Sequence, residues 1–368
     1  MRAEAPDRAG PAAPAAGRRA RPVVVTGGSG FIGSNLADAL TRDGEDVIVL
    51  DDCSRPGVVE NLAWLRARHS ERIRPFLADV RDFDAIAPAI AEAKAVFHLA
   101  AQTAVTTSLA RPVEDFEVNA RGTLNVLEAI RRTGRAIPVV FASTNKVYGA
   151  LADIDLVERE DRYEPTDAVI ARHGIGEDRP LAFCTPYGCS KGVADQYVLD
   201  YAASFGIPAA VLRMSCIYGP RQFGTEDQGW VAHFLIAALE GRSINIYGDG
   251  KQVRDILHVS DAVAAYRAVL AGIDRLGGRA FNLGGGVANA VSLRAVLAEI
   301  RRLVNEEPRI VPGAMRQGDQ RYFVADTRLI EASTGWRARV SWQDGLADLA
   351  AWLRAERGLD ALAERATA

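Results

Sequence analysis

From Pro22 onward, short apolar runs alternate with longer amphipathic stretches. V-V-V-T (23–26), V-I-V-L-D (47–51), A-V-F-H-L (95–99), V-V-F-A-S (139–143) and A-A-V-L-R (209–213) are continuous rather than alternating. That is the pattern of strands buried on both faces of a parallel sheet. Between them, F-I-G-S-N-L-A-D-A-L (31–40) and N-A-R-G-T-L-N-V-L-E-A-I (119–130) repeat apolar positions at helical spacing. Strand–helix alternation of this kind predicts an α/β chain built on a doubly wound parallel sheet. Residues 150–186 break the rhythm with many acids and few apolar repeats, as a long functional loop does. After residue 214, helical stretches near 229–241, 260–272, 292–305 and 343–356 are separated by glycine-rich turns. The expected division is a sheet domain over 22–213 and a smaller interwoven lobe over 214–368, part of which returns to the sheet domain. Residues 1–21, rich in Ala, Pro and Arg and without the apolar core of a signal peptide, read as a disordered tail.

Composition narrows the function. With 44 basic against 47 acidic side chains, the net charge is −3. This argues against gripping nucleic acid or an anionic membrane as the main task. No run approaches the 18 or so apolar residues of a membrane span. The 4 cysteines (Cys53, Cys184, Cys189, Cys216) form no C-x-x-C pair, and the 5 histidines show no metal spacing. Reduced thiols, a cytoplasmic location and no metal are the expectation.

Two motifs carry chemistry. T-G-G-S-G-F-I-G (26–33) joins the first predicted strand to the first helix, with Gly27, Gly30 and Gly33 three apart. Glycines there allow a tight turn and close backbone approach to a pyrophosphate, and the helix start at Phe31 and Ile32 offers amide donors. Asp51 ends the second strand, where a carboxylate can bind the adenosine ribose, and Asp52 would repel a 2′-phosphate. NAD is therefore favoured over NADP. Arg55 is the nearest counter-argument, and it reads as a solvated loop residue. The second motif, T-P-Y-G-C-S-K (185–191), sets Tyr187 and Lys191 at i,i+4 on one helix face behind Pro186. A cation beside the phenol would lower its pKa from about 10 toward working pH.

These motifs in this order resemble the extended short-chain dehydrogenase/reductase family, the NAD-dependent epimerases and dehydratases, from about residue 22 to 355. The resemblance implies a Rossmann sheet, bound NAD, a nucleotide-diphosphate sugar as substrate and, by default, a homodimer paired through helices near 119–133 and 187–205. It assigns Asp79 and Val80 of A-D-V-R-D to the adenine, Leu99, Ala100 and Ala101 of H-L-A-A to the turn beneath the dinucleotide, and Asn119 to the cofactor side. It makes Thr144 of F-A-S-T-N-K-V-Y-G the partner of the reacting oxygen, Tyr187 the general base and Lys191 the ribose-holding cation. Dehydratases carry an acid pair where this chain has Asn145 and Lys146, so dehydration is not expected. The strings S-T-N-K-V-Y-G (143–149), P-R-Q-F-G-T-E-D-Q-G-W (220–230), G-D-G-K-Q-V-R-D-I-L-H (248–258) and D-Q-R-Y-F-V-A-D (319–326) are similar to the CDP-paratose (CDP-tyvelose) 2-epimerase branch. That branch implies inversion at C2 through a transient keto-sugar. Arg254 and Arg316 are then expected at the diphosphate, with Arg221, Gln222, Asp319 and Arg321 as weaker candidates. Asn145, Lys146, Cys189, Met214 and Ser215 are expected near the sugar. One departure stands out: Met214 occupies the position of a histidine in the branch. It keeps a C4 epimerase, acting on a hexose or heptose, as the alternative. A non-catalytic NAD sensor is a more distant one.

Overall fold

The computed structural model describes residues 20–358, Gln317 excepted. The expected tail, apart from Ala20 and Arg21, and the end of the lobe lie outside the described residues.

Seven parallel strands form the central sheet. In chain order, six of them are β1 (Val23–Thr26), β2 (Val47–Asp51), β3 (Ile73–Leu77), β4 (Ala95–His98), β5 (Val139–Thr144) and β6 (Ala209–Met214). After β7 (Cys216–Tyr218) and β8 (Val253–His258) in the lobe, the chain returns as β9 (Arg279–Leu283) to complete the order β9-β6-β5-β4-β1-β2-β3. Residue-for-residue pairing, such as Val24 with Ile48 and with Val96, keeps the strand ends level. The chain thus reverses direction across the sheet at the ends of β1 and β4, where such folds open a crevice.

Helices cover both faces. α1 (Phe31–Arg42) shares one apolar cluster with β1, β2 and a later helix, Val259–Ala271. On the opposite face, α2 (Gly122–Arg132) contributes Val126, Leu127 and Ile130, and α3 (Thr185–Phe205) contributes Ala194, Val198 and Tyr201. Pro186 opens α3, and Gly206, at φ 67°, closes it in the left-handed conformation.

Two sheet strands escape the apolar pattern for physical reasons. β3 is an edge strand with three exposed positions, and Pro75 sits where few ladder donors are needed. In β9, the buried polar Asn282 interrupts the apolar run; it accepts from the Tyr148 hydroxyl at 2.7 Å and donates to the Ile175 carbonyl at 2.8 Å. Residues 150–186 are also more ordered than their sequence suggests. They contain a small antiparallel pair, Leu156–Glu158 with Tyr163–Pro165, and a short helix, Ala168–His173, before reaching α3.

In the lobe, β8 pairs with β7 and with Tyr322–Phe323 in parallel, and with Ala290–Ser292 antiparallel. The helices Trp230–Leu239, Leu293–Val304 and Trp342–Glu356 pack around it in a separate apolar cluster. Among the described residues, no helix is long and apolar enough to cross a membrane.

Candidate active site

A cavity of about 600 Å³ opens at the carboxyl ends of β1, β2 and β4. Gly27, Gly30, Phe31, Ile32 and Gly33 form its floor, Asp51, Asp52, Asp79 and Val80 one end, and Leu99, Ala100 and Ala101 a wall. The glycine loop is shaped by contact. A Cβ on Gly27 would stand 2.7 Å from the amide nitrogen of Ala100, and one on Gly33 would stand 2.1 Å from the Gly27 carbonyl oxygen. Gly30 caps α1 without a side chain, so the first amides of that helix have no side-chain acceptor and face the cavity. Asp51 is held by the amides of Ser29 (3.0 Å) and Cys53 (2.9 Å), while burial pushes its pKa up. An open helix start, Gly27 and Gly33 with no room for a Cβ and a fixed carboxylate at the end of β2 fit a dinucleotide diphosphate and its ribose. Replacing Gly33 by alanine is expected to cost about 1–3 kcal/mol of stability from overpacking and to strip bound NAD. Thermal melting and the NAD content of purified protein check this.

Tyr187 and Lys191 line the opposite end of the cavity with Ala142, Ser143 and Met214. Their register is set from below. The Ser190 hydroxyl donates to Asp115 (2.5 Å) and accepts from Asn119 (3.0 Å), and the Tyr187 amide donates to Ser108 (3.2 Å). Thr185, at φ 67°, turns the chain sharply into α3; a β-branched residue there is strained, as residues beside functional sites often are. The Lys191 ammonium lies 4.1 Å from the centre of the Phe141 ring. Burial pulls its pKa down to about 7, against the pull of Asp195 and Asp115.

The phenol does not behave as its spacing suggests. Burial pushes Tyr187 up to about 12, and the groups that oppose this are the Thr144 hydroxyl and Arg55, not the lysine four residues on. Desolvation of a phenolate outweighs these neighbours.

The matched model is described as the NAD dependent epimerase/dehydratase family, and it covers residues 23–284. The chain belongs to that family. It is an NAD-dependent enzyme of the epimerase type. It is 41 % identical over 337 residues to CDP-paratose 2-epimerase from Salmonella typhi, covering 90 % of this chain and 98 % of that protein. Its fold is similar to UDP-glucose 4-epimerase from Thermotoga maritima solved with UDP-glucose (TM-score 0.78, 28 % identity, 91 % of this chain and 99 % of that one). It is also similar to the Thermus thermophilus UDP-glucose 4-epimerase solved with NAD (TM-score 0.74, 32 % identity, 90 % and 98 %).

Within this family member, the expected substrate residues separate into two groups. Thr144 ends β5, and Asn145 and Lys146 begin the short turn after it. Asn145 accepts weakly from Thr144 (3.3 Å) and donates to Gln320 (3.4 Å). Lys146 reaches Asp319 (3.5 Å), which also binds Arg254 (2.6 Å). Arg316 stacks 3.9 Å over Tyr247. These residues converge on the seam between sheet and lobe.

The others do not converge there. The Arg221 guanidinium lies over Trp64 (4.5 Å) and Trp352 (5.5 Å), with Glu356 at 3.5 Å, and does not face the cavity. Gln222 is buried and donates to the Ile217 carbonyl (3.2 Å). The Ser215 hydroxyl is committed to the Asp255 carbonyl (2.9 Å). Arg321 lies over the Tyr163 ring at 5.5 Å. Cys189 is exposed. Asn119 is buried and bonded to Gln102, Asp115 and Ser190, so it positions rather than touches. Met214 lines the cavity, and its sulfur accepts from the Tyr266 hydroxyl at 3.2 Å.

Arg55, read as a solvated loop residue, is exposed on the loop after β2 and also bridges the cavity mouth. It donates to Thr103 (2.8 Å) and to Gln228 of the lobe (2.7 Å), all three lining the cavity. Thr103 carries no signal in the sequence. Gln228 lies inside the D-Q-G-W string, but nothing in that string marks it as a partner of Arg55.

Proposed function

We propose that the enzyme inverts C2 of a nucleotide-linked hexose of the CDP-paratose type. Bound NAD would supply a hydride acceptor and donor for the reacting carbon, and its positive charge would oppose the desolvation that raises Tyr187. Tyr187 takes the proton from the sugar hydroxyl and later returns it. Thr144 hydrogen-bonds the same oxygen and steadies the phenolate. Lys191, seated on the Phe141 ring, would hold the cofactor ribose. The cavity walls keep water from the keto-sugar between the two transfers.

The observation that carries this reading is the turn after β5. It presents Thr144, an amide and an ammonium beside Tyr187, and no carboxylate pair for elimination. Similarity to a 2-epimerase over 90 % of the chain supports the position of attack. Incubation with CDP-, UDP-, GDP- and ADP-hexoses, followed by NMR of the sugar, tests it: inversion at C2 is the expected result, and inversion at C4 alone would replace it. Met214 in place of a histidine, and the likeness to 4-epimerases, favour C4 as the second reading. A cytoplasmic homodimer belongs to the same proposal. Leu109, Val113, Phe116, Tyr197 and Phe205 are exposed apolar side chains on the helices Val105–Ala110 and Pro112–Phe116 and on α3, a surface fit for a second copy. Light scattering in solution checks the dimer.

A further inference from the structure

The lobe segment 220–228, P-R-Q-F-G-T-E-D-Q, has no part in the reaction above, yet it runs along the elements that build the cofactor cavity. Asn35 of α1 donates to the Pro220 carbonyl at 3.0 Å. Asn61, buried on the helix Val58–Arg68, donates to the Arg221 carbonyl and to the Ser29 carbonyl of the glycine loop, 3.2 Å each. Gly57, at φ 81°, leaves space for the Phe223 ring; a Cβ there would stand 2.3 Å from it. The segment then folds back on itself. Thr225 and Gln228 exchange amide-to-carbonyl bonds at 2.9 and 3.2 Å, and with Asp227 they line the cavity.

That fold-back delivers the Gln228 side chain to Arg55. The Arg55 loop is fixed from its own side, where Asp52 Oδ1 accepts from the Ser54 amide (3.1 Å) and hydroxyl (2.9 Å). Asp51 and Asp52 are near in sequence, but among the described residues Arg55 forms no ion pair with either. Both of its partners are neutral: Gln228 Oε1 at 2.7 Å and Thr103 Oγ1 at 2.8 Å. Thr103 belongs to the loop after β4, a wall of the cavity. One side chain thus joins the loop after β2, the loop after β4 and the lobe across the opening. Burial raises the Asp51 carboxyl at one end of the cavity and the Tyr187 phenol at the other, and Arg55 opposes both. The guanidinium therefore lies between the two ends, over the middle of the cavity.

We infer that Arg55, clasped by Gln228 and Thr103, keeps NAD on the enzyme, and that the segment 220–228 is the lobe's half of that clasp. Arg55 and Gln228 are positioning residues in this role. The inference holds whichever carbon of the sugar reacts. A hydride lent to the cofactor has to come back from the same molecule, so an epimerase that released NADH midway would strand an oxidised sugar and an empty protein. Release of NAD requires the clasp to open, which lowers the rate of escape.

Exchange of bound NAD for isotope-labelled NAD, followed by gel filtration in the absence of any sugar, tests this. Arg55→Met should speed exchange by about tenfold or more, the loss of charge-assisted hydrogen bonds. Gln228→Ala should speed it too, by a smaller factor. The double variant should exchange no faster than Arg55→Met, because Gln228 acts through Arg55. With excess NAD present, all three should melt close to the wild-type temperature, which separates faster release from a damaged fold. Unchanged exchange in either single variant, or factors that multiply in the double variant, overturns the clasp. Since no nucleotide sugar is present, that outcome leaves the reading of the substrate and its reacting carbon where it stands.

Discussion

Tyr187→Phe is expected to lower turnover by about 10³-fold, within the range for losing a general base, while the enzyme keeps its NAD and its melting temperature. The ring packs in the wall of the cavity and the backbone amide is tied to Ser108, so phenylalanine preserves both. Only the hydroxyl is lost, with the influence of the Thr144 hydroxyl that holds the phenol down. NAD content after denaturation, a melting curve and kcat on the same preparation make the measurement. A protein that merely senses NAD would show no difference between the two forms. The pH profile carries the sign of the effect. Burial raises the phenol, and the deprotonated form is the base, so kcat/KM should climb as pH rises toward neutrality and level off as Lys191, at about 7, loses its proton. Thr144 holds the phenol down, so Thr144→Val should move that limb to higher pH. A limb that stays in place would show that the titrating group is not Tyr187.

What the chain disclosed in advance was whatever a short segment encodes by itself. Gly27 and Gly33 are diagnostic because a Cβ has no room between the loop and its neighbours, and Gly30 because one there would stand 3.1 Å from the Gly27 carbonyl oxygen; the spacing conveys that. Asp51 falls at a strand end, and Tyr187 and Lys191 share a helix face, so each follows from one local period. The arginines were opaque for the opposite reason. Whether Arg221 faces a ligand depends on Trp64 and Trp352, which lie far away in sequence on separate helices. Arg254 is committed by Asp319 and Gln320, and Arg55 by Thr103 and Gln228, again through chain folding rather than spacing. The high phenol pKa belongs to the same class, since proximity of a lysine can be read from i,i+4 but the depth of burial cannot. β9 was hidden because its Asn282 is polar by composition and satisfied only by Tyr148 and Ile175.

The second large effect should come from Asp195, which contacts neither cofactor nor substrate in the proposed reaction. Its carboxylate is fully buried and accepts from Ser143 (2.7 Å) and from Arg213 through Nε and Nη2 (3.0 Å each). Arg213 passes the network on to the Tyr148 hydroxyl (3.2 Å), which donates to Asn282. β5, α3, β6 and β9 are thus tied together one residue from Thr144, four from Lys191 and one from Met214. Asp195→Ala leaves a buried guanidinium without its counter-charge, a loss of about 3–5 kcal/mol. Urea denaturation should show the unfolding free energy falling by that amount. The double change Asp195→Leu with Arg213→Met should recover much of it, because removing both charges also removes the desolvation penalty. Asp195→Asn separates scaffold from chemistry. It keeps the shape but removes a charge that supports the Lys191 ammonium, so the lysine pKa should fall below about 7. At neutral pH that variant should hold less protonated Lys191 and lose turnover more steeply than stability, and acidification should restore part of the rate. A variant whose activity and stability decline together at every pH would make Asp195 a scaffold residue alone.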